Sequence, residues 1–198
     1  MEDYLRETIR YYSSSAREYE IKVAGLHHKI EGEFFMKEIP INGRILDAGC
    51  GDGRDCKIFS ERGFEVTGID LTPEFLEIAR KKVPNGNFLN MDLRSLVFRD
   101  NYFNGIWSCA SIVHINRDGV YQFLTEAKRV LKDKGILYLA AKEGNLGQNS
   151  RKSFFFYNKE DIEKLIRDTG FDVIYVTGGN EIKVGEKIHL EVRAFARK

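Results

Sequence analysis

After Pro40 the chain alternates short apolar runs with amphipathic stretches, in the repeated order strand then helix. Apolar or β-branched runs bounded by glycine, proline or polar clusters predict β-strands. The run 136–141 is apolar without interruption, which is typical of a strand buried on both faces of a parallel sheet. The six strands predicted in this way cover residues 41–47, 65–70, 87–90, 103–109, 136–141 and 171–177.

Helices are predicted between these strands from apolar residues that recur every three or four positions. Thr72 followed by proline, and Asn158 further along, are typical N-terminal caps. Gly63 and Gly135 are placed to end two of the helices. The four predicted helices cover residues from about 54 to 62, from the Thr72 cap onward, from 118 to about 134, and from the Asn158 cap to 170.

The carboxyl-terminal tail has a different pattern, because apolar and mostly polar positions alternate from Ile188 to Ala196. Alternation predicts a strand with one wetter face. The connection before it is too short for a crossover helix, so we expect a hairpin and an antiparallel last strand.

Residues 1–40 look helical and place Leu5, Ile9 and Tyr12 on one face, and a second helix is predicted over 29–37. We expect a single domain, in which a helical lid (1–40) covers an α/β core (41–198). The core is predicted to be a three-layer Rossmann-like sandwich with a seven-stranded, mostly parallel sheet. Ligands of such sheets bind outside the carboxyl ends of the strands, at the switch point.

Composition narrows the class of protein. The chain has 198 residues and a net charge of +1, which argues against electrostatic binding of nucleic acid. No apolar run approaches the ~18 residues of a membrane span, and the amino terminus has no signal-peptide core. Three cysteines, Cys50, Cys56 and Cys109, predict neither a disulfide framework nor a zinc site. We therefore expect a cytoplasmic protein that has no metal and no membrane partner.

The first predicted strand runs into a glycine-rich turn, ILDAGCGDGRD (45–55), which precedes a helix. Glycines let a ligand approach the main chain closely, and the helix start offers unpaired N–H groups. A dinucleotide fingerprint has one more residue between its second and third glycines. Asp47, two residues before the first glycine, would repel a pyrophosphate but suits an ammonium group. The turn therefore favours a ligand with a positively charged amino-acid end.

This turn resembles motif I, D-x-G-x-G-x-G, of the class I S-adenosylmethionine-dependent methyltransferases. The similarity continues in order along the chain, over roughly residues 41–142, and the terminal strand pair fits too. The segments that carry it after the turn are VTGID (66–70), NMDL (90–93), FNGIWS (103–108) and RVLKDKGIL (129–137).

The resemblance implies a set of contacts with S-adenosylmethionine, whose product is S-adenosylhomocysteine. Gly49 and Gly51 would let the backbone pass beneath the amino-acid part of the cofactor. Asp47 would hold nearby main chain or meet the ammonium through water. Asp70 would accept hydrogen bonds from both ribose hydroxyls, since a carboxylate has two acceptor oxygens.

Leu71 would pack on the adenine, and Asp92 would accept from the adenine amino group. Cys109, with Ala110, would border the methyl group. Relatives often bring an N-terminal tyrosine over the cofactor carboxylate, where Tyr12 and Tyr19 are candidates. The predicted cofactor-binding residues are Tyr12, Asp47, Gly49, Cys50, Gly51, Asp70, Leu71, Met91, Asp92, Leu93 and Cys109.

Each residue also has a plainer structural interpretation. A single strand-end acid is more often a cap, although three acids at three successive strand ends with the glycine loop favour the cofactor. Cys109 is interpreted as a small buried apolar residue rather than a nucleophile, because the sequence shows no base paired with it. For Tyr12 and Tyr19, packing of the helix is an equal alternative.

The predicted substrate-binding residues are His114, Lys142 and Glu143, which follow the fourth and fifth strands. Two interpretations of His114 stay open: it is a general base, for which an imidazole has a suitable pKa, or it hydrogen-bonds main chain and shapes the pocket. Two interpretations also stay open for Lys142 and Glu143, which either contact the substrate or pair with each other at the surface. The mixed segment 151–157 closes over a substrate or packs its phenylalanines in the core.

The function expected from the resemblance is in-line transfer of a methyl group to a small molecule. The segment Ser108-Cys109-Ala110-Ser111 matches neither the amino-methylating nor the cytosine-C5 DNA enzymes. The alternatives are a methyltransferase for protein or RNA, a non-catalytic binder of the methyl donor, and a nicotinamide oxidoreductase. The sequence leaves the acceptor and the oligomeric state open.

Overall fold

The computed structural model describes residues 2–26, 28–144, 154–184 and 187–198, and within them one mixed sheet of seven strands forms the centre. The strands are β1 (Arg44–Ala48), β2 (Glu65–Asp70), β3 (Asn87–Asn90), β4 (Phe103–Cys109), β5 (Leu131–Lys142), β6 (Asp172–Val184) and β7 (Lys187–Arg197). The α-helices are α1 (Asp3–Val23), α2 (Lys29–Lys37), α3 (Arg54–Glu61), α4 (Pro73–Lys82), α5 (Arg117–Val130) and α6 (Lys159–Asp168).

The strand order is β3-β2-β1-β4-β5-β7-β6. The first five strands in this order are parallel, whereas β7 lies antiparallel between β5 and β6. The chain leaves β1 toward β2 on one side and later returns to β4 on the other, so the switch point lies between β1 and β4. The predicted fold class, including the antiparallel last strand and the helical amino terminus, is confirmed.

Two hydrophobic clusters bury the two faces of the sheet, which gives the three layers. On one face α5 and α6 pack against the sheet through residues such as Phe123 and Ile166. On the other face α2, α3 and α4 supply Phe35, Phe59 and Leu76, which pack around Trp107 of β4. Among the described residues, no helix combines the length and the apolar composition needed to cross a bilayer.

Four predicted boundaries are wrong by three residues or more. The first strand begins at Arg44, because residues 41–42 form a turn and Ile41 is 92% exposed. The helix predicted to reach about 134 ends at Val130, since Leu131 already pairs with Phe103 of β4. The strand predicted to begin at 136 therefore begins at Leu131. The sixth strand continues past Thr177 to Val184 because its hairpin with β7 keeps pairing.

Other predictions hold where local chemistry is strong. Strands β2, β3 and β4 and helix α2 have the predicted bounds. Asn158 forms a full capping box: its side chain accepts from the Asp161 N–H at 2.8 Å, and the Asp161 carboxylate accepts from the Asn158 N–H.

Candidate functional site

The glycine loop between β1 and α3 forms the floor of the site. Gly49, Gly51 and Gly53 have φ of 83°, 52° and 77°, in the left-handed region that glycine adopts without strain. A Cβ on Gly49 would overlap the Cβ of Ser111, whereas a Cβ on Gly51 would meet no atom within 4 Å. The absence of a side chain at Gly49 therefore leaves room for Ser111, whereas the absence of one at Gly51 adds to the open space beside the loop.

Asp70, at the end of β2, ties the loop to the next turn. Its Oδ2 accepts from the Gly51 N–H at 3.0 Å, and its Oδ1 accepts from the Thr72 N–H at 2.8 Å. Burial raises the pKa of the carboxyl group, and these hydrogen bonds act in the opposite direction. The Thr72 side chain and the Leu71 N–H act in the same direction, and the carboxylate lines the first cavity described below, where a ligand can use it as an acceptor.

A first cavity, of about 130 Å³, lies between the ends of β2, β3 and β4 and the underside of α1. Tyr12, Asp70 and Cys109 line it together with the predicted adenine contacts Leu71, Met91, Asp92 and Leu93. Helix α1 closes the cavity through Leu5, Thr8 and Ile9. The structure thus brings most of the predicted cofactor-binding residues to one place.

Asp92 is already engaged by Arg94, which the sequence analysis did not single out. The Arg94 guanidinium donates to both Asp92 oxygens, at 2.7 and 3.0 Å, and also to Glu2 at 2.6 Å. Hydrogen bonding to Arg94 is the main reason that the pKa of Glu2 falls to about 2. Arg94 thus links the end of β3 to the first residue before α1, a contact with no local sequence signal.

Asp47 is buried beneath the glycine loop, at 2% exposure, and its Oδ2 accepts from the Cys56 thiol at 3.2 Å. Burial raises the pKa of Asp47 well above its usual range, and the neighbouring Asp55 raises it further. A positively charged group nearby would relieve both effects. The electrostatics therefore suit a cationic ligand group.

A second cavity, of about 480 Å³, continues from the first toward the β6–β7 hairpin. The two cavities share seven lining residues: Tyr12, Tyr19, Gly49, Gly51, Cys109, Ala110 and His114. The Tyr12 hydroxyl lies 3.2 Å from Nε2 of His114. Burial raises the pKa of Tyr12 above its usual value, so this hydroxyl keeps its proton at neutral pH. Lys142 lies on the far side of this cavity, with Nζ 4.0 Å from the ring centre of Phe154.

Two predicted residues point elsewhere. The Glu143 carboxylate accepts from the Gly179 N–H in the bulge of β6, and Glu143 lines neither cavity. Cys50 lines the second cavity, but it belongs to the core cluster that contains Phe88 and Val66, and its thiol donates to the Gly51 carbonyl at 3.6 Å. Residues 151–153 of the mixed segment lie outside the described residues, whereas Phe154 lines the second cavity and Tyr157 is buried.

No described residues form a group of three or more His, Cys, Asp or Glu side chains arranged to hold a metal ion. The side chains that line the two joined cavities include carboxylates, tyrosines, His114 and Cys109.

Comparison with known proteins agrees with this geometry. The family model described as "Methyltransferase domain" matches residues 46–139. The chain is 38% identical over 104 residues to the putative methyltransferase YqeM of Bacillus subtilis, covering 50% of this chain. It is 30% identical over 135 residues to the 2-methyl-6-phytyl-1,4-hydroquinone methyltransferase of Synechocystis, covering 66% of this chain. The chain spans only 42% and 41% of the lengths of these two relatives.

Among solved structures, the chain is similar to the 1,6-didemethyltoxoflavin-N1-methyltransferase of Burkholderia thailandensis, bound to 1,6-didemethyltoxoflavin and S-adenosylhomocysteine. The TM-score is 0.78 at 19% identity, and the match covers 99% of this chain and 89% of the other. At this identity the match establishes the shared fold.

Proposed function

Because the chain belongs to the class I S-adenosylmethionine-dependent methyltransferases, we propose that it transfers a methyl group from S-adenosylmethionine to a small molecule. The observation that carries the proposal is the shared wall between the two cavities, at Cys109, Ala110 and His114. One cavity has the acceptors for a nucleoside, and the other is large enough for a small substrate. Their common wall is where a donor and an acceptor would meet.

The residues of the first cavity fit the cofactor. When bound, S-adenosylmethionine supplies a methyl group activated by a sulfonium. Asp70 lines the first cavity and would accept hydrogen bonds from the ribose hydroxyls, and Gly51 leaves open space above the loop. Asp47 lines the second cavity instead, and this carboxyl group, whose pKa is raised by burial, would be stabilised by an α-ammonium group that extends into that cavity. Leu71, Met91 and Leu93 offer apolar surface to the adenine.

Asp92 has a more constrained role than the sequence suggests. Because Arg94 occupies both of its oxygens, an adenine amino group would use a remaining lone pair at the rim. Arg94 in turn fixes the Asp92 carboxylate. Tyr12 and Tyr19 would cover the cofactor from α1, which makes α1 a lid over the first cavity.

The acceptor would lie in the second cavity, beside His114 and Lys142. In-line transfer from an activated donor needs mainly positioning and exclusion of water. Helix α1 and the β6–β7 hairpin supply walls for this, through Tyr12, Lys22 and Ile182 among others. The covered cleft favours a small molecule over a protein or RNA segment. The cytoplasmic location stays a prediction.

The proposal is tested first by thermal unfolding with S-adenosylmethionine, S-adenosylhomocysteine or NAD. A ligand at 100 times its Kd adds ~2.7 kcal/mol of stability, a rise of roughly 5–10 °C for a chain of this size. We expect that rise with the two sulfur compounds alone. A rise with NAD alone would identify an oxidoreductase instead.

Transfer of labelled methyl groups to pooled small phenols, amines and carboxylates, with protein and RNA extracts in parallel, then tests the acceptor class. Label found only in protein or RNA would contradict the small-molecule proposal. Tight cofactor binding without transfer to any pool would identify a non-catalytic binder.

A further inference from the structure

Three side chains from distant parts of the chain, two of them buried, form a line that ends at the wall shared by the two cavities. The Cys109 Sγ lies 3.4 Å from Nδ1 of His28, and Nε2 of the same ring lies 2.8 Å from Oε2 of Glu191. His28 and Glu191 are 7% and 4% exposed. His28 and Glu191 line the second cavity, whereas Cys109 is half-buried and is the member of the line that borders both cavities.

A second cation faces the same sulfur. Nη2 of Arg54 lies 4.0 Å from the Cys109 Sγ, and the guanidinium is held by two 2.8 Å hydrogen bonds to Asp55. Trp107 donates to Asp55 at 2.9 Å, which fixes that carboxylate. The sulfur therefore lies between an imidazole and a guanidinium, the surroundings that stabilise a thiolate.

The line is anchored at its other end as well. Arg193 contacts Oε2 of Glu191 at 3.2 Å and Oε1 of Glu31 at 2.8 Å. Burial alone would lower the pKa of His28, but the sulfur of Cys109 and the carboxylate of Glu191 raise it to about 10. At neutral pH the ring therefore carries both protons and donates one to each neighbour.

The remaining groups near the sulfur stay neutral. Tyr19, from α1, has its pKa raised to about 12 by burial, and burial raises the pKa of Tyr138, on β5, well above its usual value. Neither tyrosine changes charge between about pH 6 and about pH 9. His114 lines the same two cavities as Cys109. The variants His28→Gln and Glu191→Gln therefore identify which part of any pH dependence of the sulfur comes from those two groups.

We propose that Cys109, positioned by His28 and Glu191, is the group that accepts a proton from the methyl acceptor. The proposal rests on the proposed methyltransferase function and deepens it. As the acceptor atom bonds the methyl carbon, its proton passes to the Cys109 Sγ. The electron pair of the broken carbon–sulfur bond stays on the sulfur of the donor. The thiol then releases its proton to water, and the thiolate forms again.

This step selects a class of acceptor. A thiolate removes protons efficiently only from groups of comparable acidity, such as an electron-poor phenol or an acidic enol hydroxyl. An amine that is already neutral needs no base before it attacks. Cys109 would be the catalytic residue, and His28 and Glu191 are positioning residues that act through it.

The first experiment measures alkylation of the free protein by iodoacetamide, which needs neither cofactor nor acceptor. An ordinary thiol slows by about 50-fold between about pH 8.5 and about pH 6.5, because its thiolate fraction falls from about half to about 1%. We expect Cys109 to slow by less than about 5-fold. The variants His28→Gln and Glu191→Gln should bring back most of the ordinary fall. Their far-ultraviolet dichroism verifies that they fold.

Two controls make the measurement specific. Cys109→Ser measures the background from Cys50 and Cys56, which are 7% and 0% exposed. His189→Gln changes a histidine on the same face of β7, two residues from Glu191, and should leave the alkylation profile as in wild type. A 50-fold fall for Cys109 in the wild-type protein would overturn the proposal, whatever the cofactor measurements show.

The second experiment uses an acceptor found in the labelled-methyl assay. Cys109→Ser and His28→Gln should lower kcat at least 10-fold and leave the Kd of S-adenosylhomocysteine within about 3-fold. Unchanged kcat in Cys109→Ser would overturn the proton-accepting role. Failure of S-adenosylhomocysteine to bind the wild-type protein would instead overturn the proposed function, so the two failures are distinguishable.

Discussion

Replacing Asp70 by alanine should remove the ribose acceptor and loosen the glycine loop together. Hydrogen bonds to a charged group contribute about 1.5–3 kcal/mol each. Because each Asp70 oxygen already holds a backbone N–H, at 3.0 and 2.8 Å, we take the lower value for each ribose hydroxyl. Two such bonds amount to about 3 kcal/mol, or a loss of roughly 150-fold in affinity.

The effect of Asp70→Ala on stability should be smaller. Two backbone N–H groups lose their acceptor, but they border a cavity that water can enter. Removal of the carboxylate also removes the free-energy cost of burying its charge, which is the cost that raises its pKa. We expect a net loss of about 1–2 kcal/mol, which lowers Tm by roughly 2–8 °C.

Titration calorimetry with S-adenosylhomocysteine and its 2′-deoxy analogue separates the two roles of Asp70. The wild-type protein should bind the ribose form more tightly, and Asp70→Ala should bind both forms alike. Glu65→Ala is the matched control, since Glu65 begins the same strand and pairs at the surface with Arg44. Unchanged discrimination in Asp70→Ala, or a loss of affinity below about 3-fold, would refute the assignment.

Gly49→Ala should destabilise the fold by more than 2 kcal/mol in a denaturant titration, because its Cβ would overlap Ser111. Gly51→Ala should lower the cofactor affinity measured by calorimetry more than it lowers stability, because its Cβ would enter open space beside the loop. The pKa of His28 is raised to about 10 in the folded protein, against about 6.5 in the unfolded chain. The stability that His28 adds is therefore complete below about pH 6.5 and is lost as the pH rises through about 10. His28→Gln should flatten the decline of Tm over that range, and an unchanged slope would count against the ion pair with Glu191. Glu2→Gln removes the contact of the lid with Arg94 and should speed dissociation of S-adenosylhomocysteine in stopped flow, with Tm nearly constant; an unchanged rate would mean that this contact does not hold the lid.

The parts of the molecule whose signals are local could be predicted from the sequence alone. Strand β4 and helix α2 have the predicted bounds because their apolar periodicity and flanking residues act over a few positions. The glycine loop and the strand-end acid Asp70 are also local, since a turn with positive φ and a carboxylate at a fixed spacing can be recognised without knowing their neighbours. These features were enough to indicate the fold and the edge of the sheet where we propose that the ligand binds.

Which side chains contact each other depends on the tertiary structure. Cys109 and His28 are 81 positions apart and His28 and Glu191 are 163 apart, so the sequence offered no base for that cysteine. Only the antiparallel pairing of β7 with β5 brings Glu191 beside the ring.

The same reason explains the other surprises at the site. Arg94 reaches both Asp92 and Glu2 because α1 folds across the end of β3, and Glu143 turns to the bulge of β6 instead of the cavity. Periodicity specifies which residues are buried, whereas sheet register and helix packing determine the partners of buried polar groups. Those partners, and with them the chemistry of the site, are therefore visible only in the folded chain.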